Sequence, residues 1–343
     1  KFVLATGSRP FIPPINGLER VDYYTNETIF NVTGNIPSLI VIGSGAIGCE
    51  MAQSFARLGT KVSILSNSGL LPLEDEDMTS VVEQQFIQDG IDLHCGVMVT
   101  QIEKTAVGIR VHVQGAHQQQ STEIEASHLL VATGRRSNVE NLGLEKAGVE
   151  LENGRLVVDA RLRTSNKKIF ACGDVAGPYL FTHMAEHQAG VVLRNALFHL
   201  PAKSQTTGIP WCTFTAPELA RVGVSEREAQ ESGIEHRVYT FPFTENDRAI
   251  AEGEVEGMAK IITTPKGKLL GACIVGPSAG ELIAEYVLAI TQGLNVSALS
   301  NTIHIYPTLA HINRRVADQR MKEALTPNRK KWIKRLFGLR GTH

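Results

Sequence analysis

Gly43, Gly45 and Gly48 stand in GxGxxG spacing within the run LIVIGSGAIGCEMAQSFARLGTKVSIL, residues 39–65. Each glycine meets a steric demand. The first allows a tight turn out of a strand, the second lets a bound pyrophosphate approach the backbone, and the third lets a helix pack closely on that strand. The helix that follows offers unpaired N–H groups and a partial positive charge at its start. A GxGxxG alone is weak. Here the apolar strand Leu39–Ile42 precedes it, helical spacing runs from about Ala46 to Leu58, and a second strand, Lys61–Leu65, closes the unit. This β–α–β setting predicts a bound nicotinamide dinucleotide.

The end of the second strand selects between the two nicotinamide cofactors. A carboxylate there would hold the ribose 2′-hydroxyl and repel a 2′-phosphate. This chain has Ser66, Asn67 and Ser68 instead, with neither an acid nor an arginine. Three small polar side chains can hydrogen-bond a phosphate, so the expectation leans to NADPH over NADH.

Other chemistries find less support. Cys49, Cys95, Cys172, Cys212 and Cys273 are widely spaced, with no CxxC, so no zinc site or local redox pair is expected and no metal is assigned. Isolated cysteines in apolar surroundings are usually small buried hydrophobes, and they fit a reducing, cytoplasmic setting. The chain has 343 residues, 43% apolar and 20% charged, with a net charge of −1. That length suggests two or three soluble domains, and the charge gives no general attraction to nucleic acid. No apolar run reaches the roughly 18 residues of a membrane span.

The elements around the motif give the organisation. Phe2–Leu4 reads as a short strand running into the turn Ala5–Pro10, followed by a loop-rich connector to about Pro37. After the β–α–β unit, a helix is expected over roughly Asp77–Asp89, with strands near Asp92–Cys95, Gly108–Gln114 and Ser127–Ala132. The last strand ends in Ala132–Thr133–Gly134, repeating the Ala5–Thr6–Gly7 ending, so residues 37–135 read as one domain inserted into another. Ile169–Cys172 is a further short strand leading to Gly173–Asp174, and a helix follows over about Thr182–Phe198. From Gly208 the pattern becomes α+β: Met258–Thr264 and Leu269–Val275 form a hairpin, and Ala279–Gln292 has helical spacing. The basic tail 327–343 can place Trp332, Ile333, Leu336 and Phe337 on one helical face. It reads first as solvated, with a weak membrane-surface contact as the minor alternative. Lys1 opens directly inside a strand pattern, so the chain is expected to be a fragment of a longer protein.

ATGSRP, GSGAIGCE, VATGRRSN, IFACGD and IHIYPTLA occur in one order along the chain. Together they resemble the pyridine nucleotide–disulfide oxidoreductases, a family that includes dihydrolipoamide dehydrogenase, glutathione reductase and mercuric reductase, with mercuric-reductase-like members the nearest in look. The resemblance implies an α/β fold with an NAD(P) domain (37–135) inserted in an FAD domain (1–36 and 136–200), an α+β dimerisation domain (208–326) and a homodimer. It assigns Thr6, Gly7, Ser8, Gly173, Asp174, Leu180, Phe181, Thr182 and His183 to FAD. Gly134 and Glu50 join Gly43, Gly45, Gly48 and Ser66–Ser68 on the nicotinamide side, Glu50 matching an acid that relatives pair with a lysine beside the flavin.

The same resemblance places the FAD pyrophosphate loop and a CxxxxC redox pair upstream of the first ATG turn, so the fragment alone is expected to be inactive. Dihydrolipoamide dehydrogenases carry a His–Glu pair near Pro-Thr. Here Tyr306 precedes Pro307–Thr308, His311 takes the Glu position and His304 lies two residues before Tyr306. These three are the catalytic candidates. No cysteine follows Cys273, which weakens mercury reduction itself. The expectation is an FAD-dependent NAD(P)H oxidoreductase acting on a disulfide, metal ion or other small acceptor. The rivals are dihydrolipoamide dehydrogenase and, for a chain that truly begins at Lys1, a non-catalytic dinucleotide-binding or redox-sensing module.

Overall fold

The structure, a computed structural model, describes residues 1–115, 121–323 and 325–338. The chain forms two compact units, Lys1–Pro72 with Phe86–Ile209 and Leu73–Gln85 with Pro210–His343.

In chain order the first unit opens with strands β1 (Phe2–Leu4), β2 (Ser8–Pro10) and β3 (Ser38–Ile42), helix α1 (Ala46–Arg57) and strand β4 (Lys61–Leu65). Helix α2 (Glu76–Gln88) belongs to the second unit as far as Gln85. Strands β5 (Asp92–His94), β6 (Val97–Lys104), β7 (Ile109–Gly115), β8 (Ser121–Ala126), β9 (His128–Val131), β10 (Arg135–Ser137), β11 (Leu151–Glu152), β12 (Arg155–Leu156) and β13 (Ile169–Ala171) follow, then helix α3 (Thr182–Ala196). The central sheet is parallel, in the order β5-β4-β3-β9. Leu39, Ile40 and Val41 of β3 are wholly buried, as an unbroken apolar run should be in a strand covered on both faces. Helix α1 buries Gly48, Cys49, Ala52 and Gln53, one face at helical spacing.

Strands β6, β7 and β8 form an antiparallel sheet that shares a core with β3 and β9 through Ile102, Val111, Ile40 and Leu129. Neither β6 nor β8 is foreseen by sequence pattern. Both carry polar residues on one face, and Val97–Lys104 alternates exposure instead of running apolar. The connector before β3 is more than a loop: Leu18 and Val21 are buried in the same core, and the Tyr24 N–H donates to the Leu129 carbonyl at 2.7 Å.

The two ATG turns are joined by their exits. Strand β1 pairs in parallel with β13, and β9 pairs with β3. The residues after each turn, Ser8–Pro10 and Arg135–Ser137, then pair antiparallel, with Arg9 opposite Arg136.

The second unit carries strands β14 (Pro210–Thr213) and β15 (Glu218–Gly223), helix α4 (Glu226–Glu231), strand β16 (Arg237–Pro242), helix α5 (Asp247–Glu252) and strands β17 (Met258–Thr263) and β18 (Leu269–Gly276). Helices α6 (Ala279–Leu282), α7 (Ala284–Thr291), α8 (Ser297–Asn301), α9 (His311–Glu323) and α10 (Pro327–Leu336) complete it. The strands make one antiparallel sheet, β14-β15-β18-β17-β16. The helix expected over Ala279–Gln292 is interrupted at Ile283, yet Ala279, Leu282, Tyr286 and Ala289 still share one buried face against Ala272, Ile274 and Val316.

An acidic segment, Leu73–Asp77, is held in this unit by two buried cations. The Arg221 side chain, 3% exposed, pairs with Glu74 at 2.9 Å without linear hydrogen-bond geometry, donates to Glu228 at 2.8 Å and stacks over Trp211 at 4.3 Å. Trp211 donates in turn to Glu74 at 2.7 Å. The Lys260 ammonium, 1% exposed, meets Asp77 at 2.9 Å, Asp75 at 3.1 Å and Glu226 at 2.5 Å. Burial pushes the Asp75 carboxyl up, but the backbone N–H groups of Arg227 and Glu226 and the Lys260 charge outweigh it and hold the group below its ordinary 3.8.

Removing one partner of a buried ion cluster strands the others, so Lys260→Ala should cost about 3 kcal/mol, measured as a lower urea midpoint. Because Asp75 is depressed in the folded state, its stabilisation is present above its ordinary value and is lost as pH falls through the lowered one. The same variant should therefore move the acid-unfolding midpoint, followed by circular dichroism, to higher pH.

Candidate functional site

The turn between β3 and α1 is set by contacts that only glycine permits. Gly43 has φ +112°, and a Cβ there would sit 2.4 Å from the Ala132 carbonyl oxygen. A Cβ on Gly48 would lie 2.1 Å from the Gly43 oxygen. Gly45 differs: it has extended backbone and no atom within 4 Å of the Cβ position. Gly43 and Gly48 are thus packing glycines, whereas Gly45 keeps space open at the start of α1. That space belongs to a cavity of 510 Å³ bordered by Gly43–Gly45, Ser66–Ser68 and Ala132–Gly134.

Its far wall sorts the three expected polar residues. Ser66 is buried, and its hydroxyl lies 2.7 Å from that of Ser44, which itself donates to the Gly69 carbonyl at 2.9 Å. Ser66 therefore fixes the loop. Asn67 is exposed and Ser68 half-buried, its hydroxyl 3.2 Å from that of Ser66, and both border the cavity.

A second cavity, of 520 Å³, opens at the other ATG turn and is bordered by Ala5, Gly7, Ile47, Asp174, Leu180 and Thr182. Ser8 donates to Asp174 Oδ2 at 2.5 Å. Arg135 donates to the Ser8 hydroxyl at 2.7 Å and to its carbonyl at 2.9 Å, and stands 3.7 Å from Asp174. Asp174 Oδ1 takes no hydrogen bond among the described residues, which leaves an acceptor for a hydroxyl. Thr6 donates to the Asn138 carbonyl at 2.6 Å, and the Asn138 amide returns a bond to the Thr6 carbonyl at 2.9 Å. Gly173, at φ +75°, donates its N–H to Gln188 at 2.8 Å.

Thr182 starts α3 beside this cavity, and its N-cap, Phe181, supplies no side-chain acceptor to the first-turn N–H groups. The Phe181 and His183 rings stack at 5.1 Å and 11°. The N-terminal end of α1 borders both cavities, through its N-cap Gly45 on one side and Ile47 on the other. Glu50, three residues after Ile47, is half-buried on the same helical face.

The three catalytic candidates lie in the second unit and are treated differently by the fold. His304 is turned inward. Its side chain is 7% exposed, Nδ1 lies 3.0 Å from the Thr302 carbonyl and Nε2 3.0 Å from Glu285. Asn313 ties Glu285 further, donating at 2.9 Å. Tyr306, in contrast, is 64% exposed and packs edge-on to His311, ring centres 6.0 Å apart. A hydrogen bond to Asp247, reinforced by its charge, raises the Tyr306 phenol above its ordinary value. Burial and then the nearby Arg315, Arg314 and His304 lower His311. Asn246, 2% exposed, caps α5 by accepting from the N–H groups of Arg248 and Ala249 and donates to the carbonyls of Thr308 and Leu309, which anchors the Tyr306 loop.

Arg135, Gln188, Asn246, Asp247 and Glu285 are participants that motif spacing does not reveal. Arg135 alone had a local signal, as the residue directly after the second ATG turn. Among the described residues, no three His, Cys, Asp or Glu side chains converge to hold a metal ion. No helix among them is long and apolar enough to cross a membrane.

Residues 1–189 match the pyridine nucleotide-disulphide oxidoreductases, and residues 209–316 match the dimerisation domain of the same group. A mercuric reductase of Streptomyces lividans is 37% identical over 90% of this chain and 65% of its own length. A dihydrolipoyl dehydrogenase of Thermus scotoductus is also 37% identical, over 94% of this chain and 70% of its own. The chain thus spans about two thirds of these relatives. Among solved structures, the HOCl-induced flavoprotein disulfide reductase RclA of Escherichia coli superposes with a TM-score of 0.84 at 28% identity, covering 93% of this chain and 73% of that one. With the family matches covering residues 1–189 and 209–316, this chain belongs to the pyridine nucleotide-disulphide oxidoreductase family.

Proposed function

We propose that the chain carries the nicotinamide-to-flavin half of an FAD-dependent NADPH oxidoreductase, whose full-length homodimer passes electrons to a disulfide, metal ion or other small acceptor. The observation that supports this most is the pair of cavities, each opened by its own ATG turn, with the N-terminal end of α1 bordering both. In this reading residues 37–135 form the nicotinamide domain, 1–36 with 136–200 the flavin domain and 208–326 the dimerisation domain. A soluble, cytoplasmic setting accompanies it.

Bound FAD would supply a ring able to take a hydride and release electrons singly or in pairs. The chain's own residues do the rest. The open backbone at Gly45 and the start of α1 hold a pyrophosphate, and Asn67 with Ser68 hydrogen-bond a 2′-phosphate. Asp174 Oδ1 accepts a hydroxyl of the ribityl chain while Ser8 and Arg135 fix its other oxygen. The uncapped start of α3 stabilises negative charge on the ring.

Tyr306, kept protonated by Asp247, donates a proton at the acceptor site, and His311, held neutral, orients it. Ile303 and Ile305, 91% and 79% exposed beside Tyr306, form the apolar surface that a second subunit would cover. The dihydrolipoyl dehydrogenase alternative needs an accessible His–Glu pair, and the local pair, His304–Glu285, is turned inward.

These outcomes are expected of the full-length protein. It should purify with flavin absorbance, and NADPH should reduce that flavin with at least about tenfold better kcat/KM than NADH, the worth of one good hydrogen bond to the extra phosphate. Ser68→Glu should reverse the order, and a wild-type preference for NADH would sink the NADPH assignment. Gly45→Val should raise the KM for nucleotide by about tenfold or more with little change in melting temperature, because its Cβ enters open space; Gly48→Val should instead destabilise the fold. Tyr306→Phe should slow acceptor reduction by about 10²-fold while leaving flavin reduction by NADPH unchanged in stopped flow. With Tyr306 present, acceptor reduction should stay level through neutral pH and fall only above the phenol's ordinary value of 10.

A further inference from the structure

Helix α10 plays no part in the redox reading, and it buries none of its residues. It is nonetheless a built helix. Thr326 caps it, accepting from the Arg329 N–H at 3.3 Å, and Pro327 occupies its first position. Over Pro327–Leu336 it carries five basic residues and no acid.

The arrangement is sharply two-sided. At about 100° per residue, Trp332, Ile333, Leu336 and the adjoining Phe337 fall within one arc of about 140°. Lys330, Lys331, Lys334 and Arg335 fill an opposite arc of similar width. Arg329 falls inside the apolar arc, but it stands in the first turn, where a long side chain can reach past the helix end. Trp332, Leu336 and Phe337 are 64%, 58% and 68% exposed. Two aromatics and a leucine left in water on a short helix require a cover, and the cationic arc specifies its charge.

We propose that α10 lies in the boundary between headgroups and acyl chains of an anionic phospholipid bilayer and holds the protein at that surface. The apolar arc enters the boundary while the four cations of the other arc stay level with the headgroups. At about 15 Å the helix is too short to span a bilayer, so it can only lie along one. A second copy of α10 is a poor cover, since it would bring five positive charges against five. Nucleic acid would meet the basic arc and leave Trp332, Leu336 and Phe337 in water.

The test is flotation of the full chain with vesicles of phosphatidylcholine alone or with roughly a third phosphatidylserine. The expected result is at least about tenfold more protein floating with the phosphatidylserine vesicles, reduced severalfold near 0.5 M salt by screening. Trp332→Glu with Leu336→Glu should abolish flotation, and so should Lys330→Glu with Lys334→Glu. The first pair should not change the melting temperature, since Trp332 and Leu336 are 64% and 58% exposed. Equal flotation with both vesicle types, none with either, or flotation that survives the first pair would overturn the proposal. So would duplex DNA binding that outlasts that pair, or a dimer that the pair dissociates without vesicles.

Discussion

The close approach of three backbone segments at Gly43, Gly48 and Ala132 is the constraint on which the first unit depends. A single added methyl at either glycine would fall within 2.4 Å of a carbonyl oxygen. Because those oxygens are backbone, no side-chain rotation can relieve the clash, and the helix would have to lift from the sheet. The contact therefore sets the height of α1 over β3 and β9. From that height follow the opening at Gly45, the place of Ile47 on the second cavity and the distance between the two cavities. One steric fact at the sheet centre thus governs the mouths of both cavities.

Much of this was legible in the chain because the signals were local. The β–α–β unit announced itself through two apolar runs and three glycines, and the repeated ATG endings stand where two cavities open. What stayed hidden was non-local. Ser8 and Asp174 meet across 166 positions, and nothing about either neighbourhood shows that Arg135 joins them. Strands β6 and β8 escaped because a half-solvated strand alternates and its polar face dilutes the apolar signal. His304 illustrates the opposite limit. Its place near Tyr306 made it a catalytic candidate, but only the fold could show that Glu285 and Thr302 hold it inward.

The segment Leu73–Asp77 teaches a related point about charge. The four acids Glu74–Asp77 span the entry to α2, and runs of like charge are ordinarily solvated. Instead Glu74 and Asp75 are buried and share Arg221 and Lys260 with Glu226 and Glu228. Five carboxylates around two cations leave an excess of negative charge, which burial penalises and which hydrogen bonds from Trp211 and from the backbone of α4 help offset. Such a cluster fixes geometry more than it adds stability.

The antiparallel pairing of Ser8–Pro10 with Arg135–Ser137 has a consequence for how the chain can be altered. The chain leaves at Pro10 and returns at Arg135 to a neighbouring point, and Ser38 and Ser127 clasp the stem a second time through hydrogen bonds of 2.7–3.3 Å. A loop whose ends already touch can be lengthened at a cost that grows only logarithmically. The part of this segment that lies in the first unit could therefore be lengthened or exchanged without redrawing the strands that receive it, whereas Leu73–Gln85, tied to Arg221 and Lys260, would have to be kept.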